Sequence, residues 1–95
     1  MKQPKTLIVD DEPDILELLE ITLCRMGIGT CTAADIGSAK AFLQQQKFDL
    51  CLTDLRLPDG DGLELLDYIQ KKQPNLRVAV ISAYGNMDTG IIAMK

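Results

Sequence analysis

The sequence predicts a doubly wound α/β domain, in which a parallel sheet carries helices on both faces. Short apolar runs alternate along the chain with stretches whose apolar residues recur at helical spacing. Turn-forming residues such as Gly27 and Pro74 separate these segments. Strands that alternate with helices favour parallel pairing and right-handed crossover connections. The chain has 95 residues, enough for one small domain, and we assign residues 1–95 to it.

The first strand and the first helix are predicted from residues 6–27. Residues 6–9 form a short apolar strand, and Pro13 suits the first turn of the helix that follows. Gly27 is expected to end this helix. Its apolar face consists of Ile15, Leu18, Leu19, Leu23 and Met26.

The second strand is predicted to lie at an edge of the sheet. Residues 28–33 alternate between two sets of side chains, which is typical of a half-exposed strand. Asp35 is a candidate N-cap for the second helix, whose apolar face includes Ile36 and Phe42. The apolar run 48–53 is predicted to be the buried third strand, and it stops at Asp54.

The last part of the chain predicts one more helix, one more strand and the start of a fourth helix. Leu63, Leu66 and Ile69 indicate the third helix. Residues 78–81 are continuously apolar, which favours an interior fourth strand. We expect residues 82–86 to form a loop and residues 87–95 to begin the fourth helix.

Composition excludes several classes of function. The net charge is −4 and the isoelectric point is about 4.6, which argues against nucleic-acid binding by this domain. The sequence has no histidine, so it cannot form a histidine-based catalytic triad. Three cysteines without CxxC spacing predict neither a disulfide framework nor a zinc site. No apolar run is long enough to span a bilayer, so we predict a cytoplasmic protein without membrane contact.

Three aspartates are predicted to meet at one edge of the sheet. Asp10 and Asp11 follow the first strand, and Asp54 ends the third. The carboxyl ends of parallel strands are where ligands bind in open sheets. Crowded carboxylates repel one another, and Mg²⁺ relieves that repulsion. Each aspartate alone could be a turn former or a charge at a helix start, but the three together favour a metal site.

A calcium loop is a second interpretation of the acidic, glycine-rich residues 59–62. If Gly62 were the sixth residue of an EF-hand loop, Leu57 would be the first and Tyr68 the twelfth, where carboxylates are required. We therefore reject calcium binding. Asp61 and Gly62 are better interpreted as a turn and the start of the third helix.

Four separated motifs occur in a characteristic order. They are Val9-Asp10-Asp11-Glu12, Thr53-Asp54 with Pro58 after it, Asp61-Gly62, and Ser82-Ala83-Tyr84-Gly85. In this order the sequence resembles the receiver domains of two-component response regulators, over essentially the whole chain. The motifs are most similar to receivers of the NtrC type, including those of pilus-gene regulators.

The resemblance implies a role for each residue at a matching position. Asp54 would be the nucleophile that accepts a phosphoryl group. Asp11 would ligate Mg²⁺ directly, Asp10 would do so through water, and Arg56 would contribute its backbone carbonyl. Ser82 would donate a hydrogen bond to the phosphoryl group and so sense it, and the loop around Tyr84 would move.

The resemblance also implies partners. A sensor histidine kinase would supply the phosphoryl group, and the domain would act as a homodimer. The parent protein would regulate transcription through an ATPase domain and a C-terminal DNA-binding domain. This domain itself would be a switch and not an enzyme.

One departure from the family pattern concerns the end of the chain. Receivers continue through a fifth strand that ends in a lysine, and through a fifth helix. Here the expected strand order is 2-1-3-4 with both elements missing, and Lys95 would lie in the wrong element to replace that lysine. We therefore expect a C-terminally incomplete receiver, with residues 78–81 as an unpaired edge.

Two other functions remain open. The first is a receiver-like module that never accepts a phosphoryl group and only dimerises, which the missing lysine favours. The second is a small phosphatase with Asp10 as the nucleophile and Glu12 as the general acid. The phosphatase would leave Asp54 and Ser82 without a role.

Overall fold

The computed structural model describes the backbone of residues 3–84 and 88–93 and the side chains of residues 3–81. Three helices lie in this part of the chain: α1 Pro13–Arg25, α2 Ile36–Gln45 and α3 Gly62–Lys72. The strands are β1 Lys5–Val9, β2 Gly29–Ala33, β3 Leu50–Asp54, β4 Arg56–Leu57, β5 Gly60–Asp61, β6 Arg77–Tyr84 and β7 Asp88–Ala93.

The main sheet has the predicted strand order. Its strands lie in the order β2-β1-β3-β6-β7, and the first four are parallel. The strand predicted as the fourth is β6, so the order 2-1-3-4 and the doubly wound class are confirmed. Val9 pairs with Thr53, and Asp54 pairs with Ile81. This register brings the carboxyl ends of β1, β3 and β6 to one edge of the sheet.

The segment after β6 is a strand, so the expected fourth helix at residues 87–95 is wrong for the described part of that segment. β7 pairs antiparallel with β6 and places Ile91 opposite Ile81. The expected loop at residues 82–86 also begins later, because β6 continues to Tyr84. An unpaired β6 would expose a row of backbone donors and acceptors, and the β-branched residues of β7 suit pairing with it. The edge expected to be unpaired therefore carries a strand.

The helices cover both faces of the sheet, as a doubly wound fold requires. On one face, α2 and α3 pack against β1 and β3 through a large core. Its members include Leu7, Val9, Ala39, Cys51, Leu65 and Ile69, none of which is more than 2% exposed. On the other face, α1 packs Leu19 and Leu23 against a smaller cluster. No residue of α1 is fully buried.

Local signals in the sequence determine where the helices begin and end. Pro13 opens α1, and Gly27, with φ of 80°, follows its end. The Asp35 carboxylate caps α2 by accepting a hydrogen bond from the Ser38 N–H at 2.7 Å. Asp61 caps α3 through the Leu63 N–H at 3.0 Å. The predicted helix starts at Asp35 and Asp61 are confirmed.

Candidate functional site

Three carboxylates meet at the carboxyl edge of the sheet. Asp10 follows β1 and Asp54 ends β3, and these two strands are direct neighbours. One carboxylate oxygen from each of Asp10, Asp11 and Asp54 lies within 4.8 Å of the others. Oxygen atoms at this separation can share one hard divalent cation. The structure therefore brings these three residues together at one edge of the sheet, as the sequence predicted.

Asp10 is the buried member of the cluster. Its residue is 4% exposed, and its carboxylate accepts a hydrogen bond from the Glu12 N–H at 2.9 Å. Burial raises the pKa of Asp10, and the negative charges of Asp54, Asp11 and Glu12 add to that effect, while the Glu12 hydrogen bond opposes it. A cation beside Asp10 would offset both the burial and the repulsion. The chemistry of this donor set therefore fits Mg²⁺.

Asp54 is more accessible than Asp10 and less accessible than Asp11. It is half-buried and follows Thr53, which is fully buried. Its carboxylate accepts a long hydrogen bond, 3.4 Å, from the Arg56 N–H. Asp11, by contrast, is exposed. The Asp54 and Asp11 side of the cluster is therefore more exposed to solvent than the Asp10 side.

Two cavities in the described part of the chain lie away from the acidic cluster. A cavity of about 1140 Å³ lies at the opposite edge of the sheet, near Phe48 and Leu76. A second cavity, of about 450 Å³, lies beside the β4–β5 hairpin. Neither cavity is lined by the three clustered aspartates.

The other predicted site residues are placed only in part. Arg56 is exposed and begins β4, directly after the Asp54 loop. Ser82 follows Ile81 in β6, so its backbone is one position beyond the partner of Asp54. The Ser82 side chain lies outside the described side chains, and Gly85 and Lys95 lie outside the described residues. The roles of Arg56 and Ser82 remain predictions.

Sequence reasoning placed Asp59 and Gly62 in a turn segment but missed the contacts through which they shape this edge. Asp59 accepts hydrogen bonds from the Ile36 and Gly37 N–H groups at 2.8 and 3.0 Å. These two bonds hold the pKa of Asp59 below its usual range. Gly62 lies against the backbone of Asp54 and Leu55. The Asp-Gly repeat indicated a turn here, but no local signal reveals that the turn touches α2.

Comparison with known proteins identifies the family. The profile of the response regulator receiver domain matches residues 6–95. The chain belongs to the response regulator receiver family. It is 57% identical over 95 residues to the response regulator protein PilR of Pseudomonas aeruginosa, covering all of this chain. The resemblance to NtrC-type and pilus-gene regulator receivers is thereby confirmed.

Two further relatives support the same family. The alginate biosynthesis transcriptional regulatory protein AlgB of Pseudomonas aeruginosa is 39% identical over 94 residues, or 99% of this receiver chain and 21% of AlgB. The crystal structure of response regulator protein TrrA of Thermotoga maritima, in complex with Mg²⁺ and BeF, has a TM-score of 0.81 at 32% identity. That match covers 87% of this chain and 72% of TrrA.

The receiver chain spans about a fifth of the length of the curated relatives it matches, with 21% of PilR covered. Among the helices that the structure describes, the longest is α1 with 13 residues, and none has the length and apolarity of a membrane span.

Proposed function

We propose that Asp54 accepts a phosphoryl group from a partner histidine kinase and that the chain works as a two-component switch. The observation that carries the proposal is the position of Asp54, an accessible carboxylate at the end of a central strand beside Asp10 and Asp11. A carboxylate oxygen of Asp54 attacks the phosphorus of a phosphohistidine. The N–P bond breaks, the imidazole nitrogen keeps the electron pair, and an acyl phosphate forms. Its hydrolysis resets the switch.

We propose Mg²⁺ as the cofactor of this transfer. Asp11 and Asp54 would hold the ion directly, Asp10 through water, and Arg56 through its backbone carbonyl. The mutual repulsion of three carboxylates within 4.8 Å supports this assignment. The bound ion would neutralise charge on the transferring oxygens. Asp10, buried and held by the Glu12 N–H, fixes the geometry of the inner side of the site.

Ser82 is proposed to sense the phosphoryl group. Its place in β6, one residue beyond the strand partner of Asp54, supports this role. A hydroxyl that donates to the new oxygens would bias the region around Tyr84 towards a second conformation. The same switch would control a homodimer.

The output is proposed to be transcription control in the cytoplasm, through ATPase and DNA-binding domains of a longer parent protein. The name of AlgB, a transcriptional regulatory protein, and the identity to PilR support this proposal. The acidic charge of the chain supports DNA contact elsewhere than in this domain.

The phosphatase alternative is less well supported. A nucleophile must reach its substrate, whereas Asp10 is only 4% exposed. Acetyl phosphate with Mg²⁺ should add one phosphoryl group to the wild-type protein. The Asp10→Asn variant should gain the same group more slowly, and Asp54→Asn should gain none. A labelled Asp54→Asn protein would refute the proposed function, and label lost only with Asp10→Asn would favour the phosphatase.

A further inference from the structure

The Asp59 carboxylate joins the loop after β3 to the start of α2. Asp59 lies in the turn between β4 and β5. Its two oxygens accept hydrogen bonds from two successive backbone amides, Ile36 N–H at 2.8 Å and Gly37 N–H at 3.0 Å. The first turn of a helix leaves such N–H groups without partners inside the helix. Asp59 therefore caps a helix to which it does not belong.

The helix already has a cap of its own. Asp35 accepts from the Ser38 N–H at 2.7 Å and satisfies a different donor of the same turn. Two carboxylates thus divide the first-turn amides of α2 between them. Asp35 acts within its own segment, while Asp59 reaches across 23 residues of sequence. Of these two carboxylates, only Asp59 joins the β4–β5 hairpin to α2.

Packing at the hairpin reinforces this contact. A Cβ built on Gly60 would lie 2.8 Å from Ile36 Cδ1 and 3.1 Å from Glu64 Oε1, so the hairpin backbone lies directly on the start of α2. Leu57, in the same hairpin, is 8% exposed and belongs to the large core. The hairpin is therefore anchored by both a polar and an apolar contact.

Arg56 depends on this anchored hairpin for its position. It begins β4 and pairs with Asp61 of β5, and each of these strands has only two residues. So short a ladder is not stable alone. At the base of the hairpin, the Gly62 N–H donates to the Leu55 carbonyl at 2.7 Å. At the tip, next to the Leu57–Gly60 pair, the Asp59 carboxylate attaches the hairpin to α2.

We propose that Asp59 is a positioning residue for the Arg56 backbone carbonyl, and so for Mg²⁺ binding at the acidic cluster. The metal part of this inference rests on the proposed function. Hydrogen bonds from backbone amides to a carboxylate are among the stronger ones, and residues that orient metal ligands affect affinity without touching the ion. Without Asp59 the hairpin would lose its tip contact, and the Arg56 carbonyl would no longer be held in one place.

The test compares Asp59→Ala with Asp35→Ala, because each variant removes one carboxylate cap from the same turn of α2. Mg²⁺ is titrated into the protein and followed by amide chemical shifts. We expect Asp59→Ala to weaken Mg²⁺ affinity about 10-fold or more and Asp35→Ala to leave it unchanged. Asp59→Asn, which keeps one acceptor oxygen, should fall between wild type and Asp59→Ala.

Hydrogen exchange of the metal-free protein gives a second readout that needs no ion. The Arg56 and Leu57 amides should exchange faster in Asp59→Ala and at the wild-type rate in Asp35→Ala. Wild-type exchange and affinity in Asp59→Ala would overturn the inference, as would equal losses in both variants. If the wild-type protein binds no Mg²⁺ at Asp11 and Asp54, the proposed function fails, while the exchange comparison still decides the role of Asp59.

Discussion

At the scale of single residues, Gly62 sets how closely α3 approaches the proposed phosphoacceptor. A Cβ at this position would lie 2.5 Å from the Asp54 carbonyl oxygen and 2.8 Å from Leu55 Cα. Both are backbone atoms, so they cannot rotate away as the end of a side chain could. Glycine is therefore required here for space, because Asp54 must end its strand directly beneath the first turn of α3.

We predict that Gly62→Ala will destabilise the protein by about 1–3 kcal/mol, the usual cost of overpacking, and slow phosphoryl transfer to Asp54. Gly37→Ala is the matched control. It also adds a methyl group near a helix start, but its nearest neighbours would be 3.7 Å away. Urea unfolding and acetyl phosphate labelling measure the two effects. Equal stability and labelling rates in the two variants would contradict the prediction.

The lowered pKa of Asp59 predicts a pH-dependent stability. Because the folded state holds the Asp59 pKa below the ordinary aspartate value of about 3.9, ionised Asp59 stabilises the fold. That contribution is present above the ordinary value and is lost as pH falls through the lowered one. Asp59→Asn should therefore be less stable than wild type at pH 7, with the difference shrinking in acid.

Thermal unfolding between pH 7 and pH 2 measures this difference for Asp59→Asn. The exposed Asp14 provides the control, since Asp14→Asn removes the same charge from a side chain outside the hairpin. A stability difference that stayed constant down to pH 2 would show that the Asp59 carboxylate charge does not support the contact with α2.

At the scale of secondary structure, the sequence predicts what local signals determine. Gly27 ends α1, and Asp35 and Asp61 cap α2 and α3, because each acts within a few residues of its own position. The apolar runs and the rules of parallel crossovers predict the doubly wound class, and the family resemblance implies the strand order. The contact of Asp59 with α2 could not be predicted, because it joins segments that are distant in sequence.

For residues 88–93, the family pattern led to a wrong expectation although the local residues favoured the observed element. The expected helix at residues 87–95 came from the family pattern, while the residues themselves include Thr89, Ile91 and Ile92, which favour strands. In the structure, β7 pairs with the edge of β6.

Gln73, which follows α3, binds α2 and the segment between α2 and β3, and its substitution should be costly. Its side-chain amide donates to the Leu43 and Gln46 carbonyls at 2.9 and 3.0 Å and accepts from the Phe48 N–H at 3.3 Å. Gln73→Ala leaves these partly buried backbone groups without partners, so we expect a loss of about 1–3 kcal/mol in the free energy of unfolding. The measurement is urea denaturation.

Gln44→Ala is the control for Gln73→Ala, because Gln44 is exposed and makes one bond, to the Tyr68 hydroxyl at 3.0 Å. It should cost less than about 0.5 kcal/mol. If the two variants lose similar stability, the Gln73 side chain does not hold the end of α3 to α2 and to the segment that follows it.

At the scale of the whole molecule, the chain is compact but leaves one helix partly uncovered. The Cα radius of gyration is 12.4 Å, close to the ~12 Å expected for a compact domain of this length. On α1, however, Leu18 is 61% exposed and Ile21 47%, and Met26, directly after the helix, is 67% exposed. Clustered exposed apolar side chains indicate an interaction surface. The outer edge of β6 does not account for association of two chains, because β7 pairs with it.

We therefore predict that the 95-residue chain self-associates through α1. Sedimentation should detect a dimer, and Leu18→Glu together with Met26→Glu should shift it towards monomer. Leu63→Glu is the control, because Leu63 is 55% exposed but lies at the start of α3. A compact monomer in the wild type, or equal dissociation by the control, would contradict this assignment.

The central claim is that Asp54 is the single phosphoacceptor. The most direct measurement is mass spectrometry of the protein after treatment with acetyl phosphate and Mg²⁺, with fragmentation to locate the added group. We predict one phosphoryl group on the peptide that contains Asp54. The group should be retained in Asp14→Asn and absent in Asp54→Asn. A phosphoryl group located on Asp10 or Asp11, or full labelling of Asp54→Asn, would contradict it.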